Sequence, residues 1–244
     1  MNLQEGAMLH DKDIREPLFD FLDETYGKIR IIEEKTMGKS RADVVMVMED
    51  ALCGIEIKSD VDTYARLNRQ VKDYDRYYDL NYVVVGTTHA MHIREHVPEY
   101  WGVITVEIVE GRFDFYILRR PERNPKVSWK HKLEILWRPE LAEIQDQNQM
   151  PKYKDKSKAF VQDKIIERIE SGKIEEALLR HQVSDLLFER DYNNVDEQLA
   201  EFKKSEIAKK LEKENDPERQ IELMAQRAQA KKNFKKARRK RRVL

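Results

Sequence analysis

Residues 43–48 and 52–58 are two short runs rich in β-branched and apolar side chains, separated by a polar break at Glu49, Asp50 and Ala51. That pattern predicts a β-hairpin. A turn centred between Glu49 and Asp50 pairs Met48 with Ala51, Val44 with Ile55 and Asp43 with Glu56. Facing residues in such a ladder share a side, with Cβ atoms roughly 5 Å apart. Because strand side chains alternate, Lys58 joins Glu56 and Asp43 on one face with Val45, Val47 and Leu52, while Val44, Met46, Met48, Ile55 and Ile57 take the other. A slip of one residue would send Asp43 to the opposite face. Both faces are apolar enough to be buried, so the charges need partners or a function.

The flanking pattern extends the picture. Ile14, Leu18, Phe21 and Leu22 form the inward stripe of a helix beginning near Asp13, and residues 28–33 read as a first strand. Leu67, Val71, Tyr74 and Tyr78 recur at helical spacing, predicting an amphipathic helix from Thr63 to Asp79 with Asp62 or Thr63 as its N-cap. Residues 82–86 then read as a fully buried strand, so strand, helix and strand form the crossover of a parallel pair. Residues 102–108 and 113–118, broken at Glu110 and Gly111, predict a second hairpin. The sum is an α/β fold with a mixed central sheet flanked by helices. Pro121 to Pro125, beside Arg119, Arg120 and Arg123, reads as a basic loop leaving the sheet within reach of nucleic acid.

Past that loop glycine nearly disappears and helix formers dominate. Leu133, Leu136, Trp137, Leu141, Phe160, Ile165 and Ile169 are expected to pack helices on the core, Trp137 included. From Val195 the chain is mostly charged, with a stop and restart at Asn215, Asp216 and Pro217. The expected organisation is a core over residues 1–125, a helical region packing on it over 126–194, and a charged helical extension with a basic tail over 195–244. That tail holds Lys235, Arg238, Arg239, Arg241 and Arg242. The chain is neutral overall, with 46 basic and 46 acidic residues, so segregating these cations at one end points to a polyanion such as DNA, while a solvated tail balancing the acidic body is the bland alternative. Leu199 and Phe202 fit either homodimerisation or docking on the chain's own core.

Composition narrows the classes. With 244 residues and 40% hydrophobic content there is room for one α/β domain plus an appendage, and 38% charged residues imply much solvated helix. A single cysteine, Cys53 in a core strand, excludes a disulfide framework or a cysteine-rich zinc site. The polar N-terminus and the lack of long apolar runs lead to the expectation of a cytoplasmic protein without membrane contact. Gly38, Lys39 and Ser40 end like a phosphate-binding loop, but the first glycine of that motif would fall at Glu33. His89, His92 and His96 cluster without a cysteine or fourth ligand, which favours surface positions over zinc.

The chemistry lies in the hairpin. Two carboxylates on Cβ atoms about 5 Å apart repel unless a cation sits between them, and Mg²⁺, with Mn²⁺ able to substitute, takes one or two carboxylates and completes its shell from water and substrate phosphate. Lys58 beside such a site could orient a water nucleophile or stabilise charge developing on a phosphate. A bare Glu-x-Lys also occurs on many solvent-facing strands with no chemistry at all. Arg66 and Arg69 lie near the sheet's active edge on the following helix, where phosphate contact and an ordinary solvated face fit equally well.

The order Arg41-Ala42-Asp43, then Gly54 to Asp60 with Glu56 and Lys58, then Asp62, Thr63, Arg66, Leu67, Gln70 and Tyr74 resembles the PD-(D/E)XK, or restriction-endonuclease-like, nuclease superfamily, and within it a bacterial and phage branch. The resemblance is tight from residue 13 to 89, looser to 190, and absent from the charged C-terminal segment. It implies a restriction-endonuclease-like core, Asp43 and Glu56 as metal ligands, Lys58 as catalytic lysine and Gln70 as its support. It also implies an upstream acidic ligand, for which Glu34 is the choice ahead of Glu33 and Glu16; Arg41, beside Asp43, is a further candidate for nucleic-acid binding. Ala42 stands where the superfamily has its name-giving proline. The expected activity is Mg²⁺-dependent hydrolysis of DNA, double-stranded in the first instance. The alternatives are an inactive nucleic-acid-binding or partner-binding module, or a nuclease acting on RNA or branched junctions.

Overall fold

The computed structural model describes residues 9–191. The chain divides into two units, Met1–Arg190 and Asp191–Leu244, and the basic-tail residues Lys235 to Arg242, with Leu199 and Phe202, lie outside the described residues. Within the first unit a six-stranded mixed sheet runs in the order β1-β2-β3-β4-β5-β6. Its strands are β1 (Arg30–Met37), β2 (Ser40–Val47), β3 (Leu52–Lys58), β4 (Leu80–Gly86), β5 (Gly102–Val109) and β6 (Arg112–Arg119). β1, β2 and β3 form an antiparallel meander, β3, β4 and β5 are parallel, and β6 returns antiparallel to β5.

The hairpin register is the expected one: Val44 faces Ile55 and Val47 faces Leu52, and Met48 N–H closes the turn on Ala51 O at 2.9 Å. Alternation then splits the apolar side chains between two layers. Val44, Met46, Cys53, Ile55 and Ile57 pack with Ile14, Leu18 and Leu22 of α1 (Asp11–Tyr26). Val45, Val47 and Leu52 pack with Leu67, Val71 and Tyr74 of α2 (Leu67–Tyr77) and with the later helices. β4 is buried on both sides, which is why it reads as an unbroken apolar run. After it come a short α3 (Thr87–Ala90) and then α4 (Trp129–Glu134), α5 (Arg138–Gln147), α6 (Lys158–Glu170) and α7 (Glu176–Glu189), whose buried Leu133, Leu141, Ile165 and Leu187 belong to the same core as α2.

Gly54 sets how closely α2 approaches the sheet. A Cβ there would lie 2.3 Å from Tyr78 Cδ2 and 2.6 Å from Tyr74 Cδ1, so only glycine lets the two rings lie against β3.

Two expectations need correction. The helix after β3 does not begin at Thr63: a 3₁₀ turn over Tyr64–Arg66 precedes α2, and Asp62 caps nothing. Its carboxylate instead accepts from Ser59 N–H at 2.9 Å and Ser59 Oγ at 2.6 Å, closing the loop after β3. The first strand extends to Met37, because β1 is an edge strand and its polar second half needs no buried partner. The basic loop after β6 leaves the sheet with Arg120 and Arg123 exposed, and it is pinned to its surroundings. Asn124 is buried and donates to Asp75 O and Tyr78 O, both at 2.7 Å, while Arg119 donates to Trp101 O and Pro98 O. This loop is stapled to the end of α2.

Candidate active site

Beyond Val44 the β2–β3 ladder stops one pair short of Asp43 and Glu56, and side chains take over. The Asp43 carboxylate reaches across to accept the Ile57 N–H at 2.9 Å, which holds Asp43 and Glu56 at one end of the hairpin on the α2 side. Glu56 is 1% exposed. Its Oε1 accepts from both Lys58 Nζ and Gln70 Nε2, the latter projecting from α2, while its Oε2 is buried with no hydrogen-bond partner. Four residues named from the sequence, Asp43, Glu56, Lys58 and Gln70, thus meet in one place.

They line a cleft of about 300 Å³ whose rim is cationic, formed by Lys39 and Arg41 from the β1–β2 hairpin and Arg66 and Arg69 from the start of α2. Lys39 belongs to the Gly38–Ser40 turn. That turn is a tight hairpin connection with Gly38 at φ 55°, and it presents its lysine to the cleft. Ser40 Oγ donates to Asp73 Oδ2 at 2.6 Å, fixing the turn against α2.

Electrostatics inside the cleft are strained. Burial, and secondly the neighbouring Glu56 charge, push Asp43 from the ordinary 3.8 up to about 7. Burial also raises Glu56, with the Lys58 ammonium pulling the other way. Two acids that resist ionising together, beside a buried carboxylate oxygen with nothing to bond, form an oxygen donor set that suits a hard cation.

Glu34 is placed differently from its two expected companions. It sits in β1 at φ 51°, half exposed, and its carboxylate is held by Arg41 at 2.9 Å, with Arg15 at 4.0 Å. Glu33 pairs with Arg15 at 3.3 Å. The acid that does line the cleft from upstream is Asp11, the first residue of α1. Arg15 holds its Oδ2 at 2.8 Å, and its Oδ1 is buried without a partner. Asp11 lies just ahead of the apolar stripe that revealed the helix, so periodicity carried no sign of it. Among the described residues no group of three or more His, Cys, Asp or Glu side chains is assembled to hold a metal ion by itself.

The histidines sit elsewhere. His89 Nδ1 bonds the Tyr64 hydroxyl at 2.9 Å, His96 stacks on the Tyr64 ring at 4.0 Å, and His92 pairs with Glu95. Trp137 carries the Arg190 guanidinium 3.9 Å over its ring, on the helical side of the molecule. No helix among the described residues is long and apolar enough to cross a membrane.

Residues 5–211 match the model of the family described as bacteriophage P4 protein cII. No curated protein matches the chain. Among solved structures, the Ca²⁺ complex of SfsA from Pyrococcus furiosus is similar over 50% of this chain and 70% of its own, at 14% identity and a TM-score of 0.33.

Proposed function

For this chain, which belongs to the bacteriophage P4 protein cII family, we propose a metal-dependent nuclease that hydrolyses DNA phosphodiester bonds on a restriction-endonuclease-like core. The observation that carries the reading is the Glu56 side chain. A carboxylate 1% exposed, touching Lys58 and Gln70 and leaving one oxygen unpaired beside Asp43, is costly to bury, and buried charge of this kind concentrates at functional sites.

Asp43 and Glu56 would hold Mg²⁺ or Mn²⁺, with Asp11 rather than Glu34 as the upstream acid nearest to hand, and water and substrate phosphate would complete the shell. Bound there, the cation would supply neutralisation of phosphate charge and acidification of a water ligand. The remaining work belongs to the chain. Gln70 donates to one oxygen of Glu56 and leaves the other without a hydrogen-bond partner. Lys58 presents ammonium protons at the cleft floor, where they orient an attacking water or stabilise charge developing on phosphoryl oxygens. Lys39, Arg41, Arg66 and Arg69 give the rim the charge to draw in and seat a polyanionic backbone.

The test is incubation of supercoiled plasmid with the purified protein in Mg²⁺, in Mn²⁺ and in chelator, beside a Lys58→Ala copy. Metal-dependent nicking or linearisation that the variant lacks is the expected result. If parent and variant both retard the plasmid without cutting it, and linear, branched and RNA substrates also stay intact, the protein is a binding module and the nuclease reading falls.

A further inference from the structure

Asp43 sits where two β-ladders fail together. The β1–β2 register runs from Arg30–Val47 to Glu33–Val44, resumes at Lys35–Ala42, and passes over the pair Glu34–Asp43 between them. Glu34 is in the left-handed region, at φ 51°, which a glutamate rarely adopts without a reason in its surroundings. On the other side the β2–β3 pairing ends at Val44.

The main chain of Asp43 is held instead by side chains from opposite faces of the sheet. Its N–H donates to the Tyr74 hydroxyl at 3.2 Å, and that hydroxyl lies 3.1 Å from Ile55 O and also against the Glu56 carboxylate. Its carbonyl accepts from Arg15 Nη1 at 3.3 Å, and the same guanidinium holds Asp11 Oδ2 and lies 3.9 Å from Asp43 Oδ1. Tyr74 is fully buried beneath the sheet on α2, and Arg15 reaches over from α1. The Ile57 N–H then fixes the carboxylate itself.

We infer that Arg15 and Tyr74 are positioning residues that clamp Asp43 between the two helical layers and thereby aim its carboxylate into the cleft; this rests on the metal-dependent reading of that site. Loss of an outer group that orients a ligand typically costs about 10–100-fold in metal affinity. Tyr74→Phe removes the hydroxyl and keeps the ring that packs on Gly54. Arg15→Lys keeps a cation but loses the forked donor, and Arg15→Met removes the charge as well.

Mn²⁺ binding to the full-length protein, followed by isothermal titration calorimetry without nucleic acid, is the measurement, with far-UV circular dichroism and a metal-free thermal midpoint to establish folding. The clamp predicts about tenfold weaker Mn²⁺ binding for Tyr74→Phe and for Arg15→Met, partly restored in Arg15→Lys. Arg15→Met separates aim from charge: losing a nearby cation should by electrostatics alone tighten Mn²⁺ binding, so tighter binding overturns the role of Arg15. A folded Tyr74→Phe protein with unchanged affinity overturns the role of Tyr74. If Tyr74→Phe does not fold, Arg15→Lys decides: weakened binding supports the clamp, and parental affinity overturns it. Absence of Mn²⁺ binding by the parent overturns the metal reading and the clamp with it, an outcome distinct from binding that the variants leave unchanged.

Discussion

Replacing Asp43 with Asn should make the protein more stable and inactive, and the stability gain should depend on pH in a defined direction. In the folded chain burial and Glu56 raise Asp43 from 3.8 to about 7. Below pH 4 the carboxyl is protonated whether the chain is folded or not, and it costs nothing. Between about pH 4 and 7 the unfolded chain ionises while the folded one resists, so stability falls by about 1.4 kcal/mol per pH unit. Above about pH 7 both states are ionised and the full penalty, about 4 kcal/mol, is in place. Asn keeps an oxygen for the Ile57 N–H, relieves Glu56 of a like charge and forfeits the distant attraction to Arg15. The net gain expected at pH 8 is therefore about 2–3 kcal/mol, shifting a urea midpoint by roughly 1 M. The assay is urea unfolding of parent and variant in chelator at pH 4, 5, 6, 7 and 8. The gap should be near zero at pH 4 and largest at pH 8. Mg²⁺ should then raise the parent's midpoint and leave the variant's alone, because a ligand stabilises only the state that binds it. A variant no more stable than the parent at pH 8, or a gap that persists at pH 4, would refute the claim that the two acids are held together against their electrostatics.

Gly54→Ala should cost about 3 kcal/mol and lower the thermal midpoint by several degrees, since its Cβ would meet both tyrosine rings well inside contact distance and α2, with Gln70, must shift. Asp79→Asn should destabilise by about 3–5 kcal/mol, because Lys132 is buried with Asp79 as its ion-pair partner and the same carboxylate accepts the Leu52 N–H at 2.8 Å. Adding Lys132→Met to that variant should recover part of the loss in chemical denaturation, and a double variant worse than the single would sink the explanation. Arg66→Ala with Arg69→Ala should weaken plasmid binding alike on unrelated sequences and reduce the salt dependence of log K by about one per lost phosphate contact, read by fluorescence anisotropy between 50 and 200 mM salt. An unchanged slope would return both arginines to an ordinary solvated face.

Legibility in the sequence tracked how local each determinant is. The β2–β3 register followed from one polar break, because alternation leaves a buried hairpin a single way to keep its apolar residues inside. Gln70, named through the family resemblance, does meet Glu56, because α2 is a regular helix with a strong stripe and its 3₁₀ entry changes the start without turning its face. What stayed hidden depended on layers meeting. Asp11 reaches the cleft, and Arg15 the Asp43 carbonyl, only because α1 crosses the far face of the sheet with its N-terminus over the end of β2, and nothing in the spacing of Ile14, Leu18 and Leu22 says where that end points. Tyr74 read as a core aromatic and is one, yet its hydroxyl bonds main chain on both β2 and β3. Glu34 was chosen for its charge and its place upstream, whereas its left-handed backbone and its pairing with Arg41 are consequences of the same interrupted ladder that leaves Asp43 to be held by Arg15 and Tyr74. The strand residues announce the acids, then, but the geometry that makes those acids useful is assembled from both helical layers, and only a folded sheet brings those layers to one carboxylate.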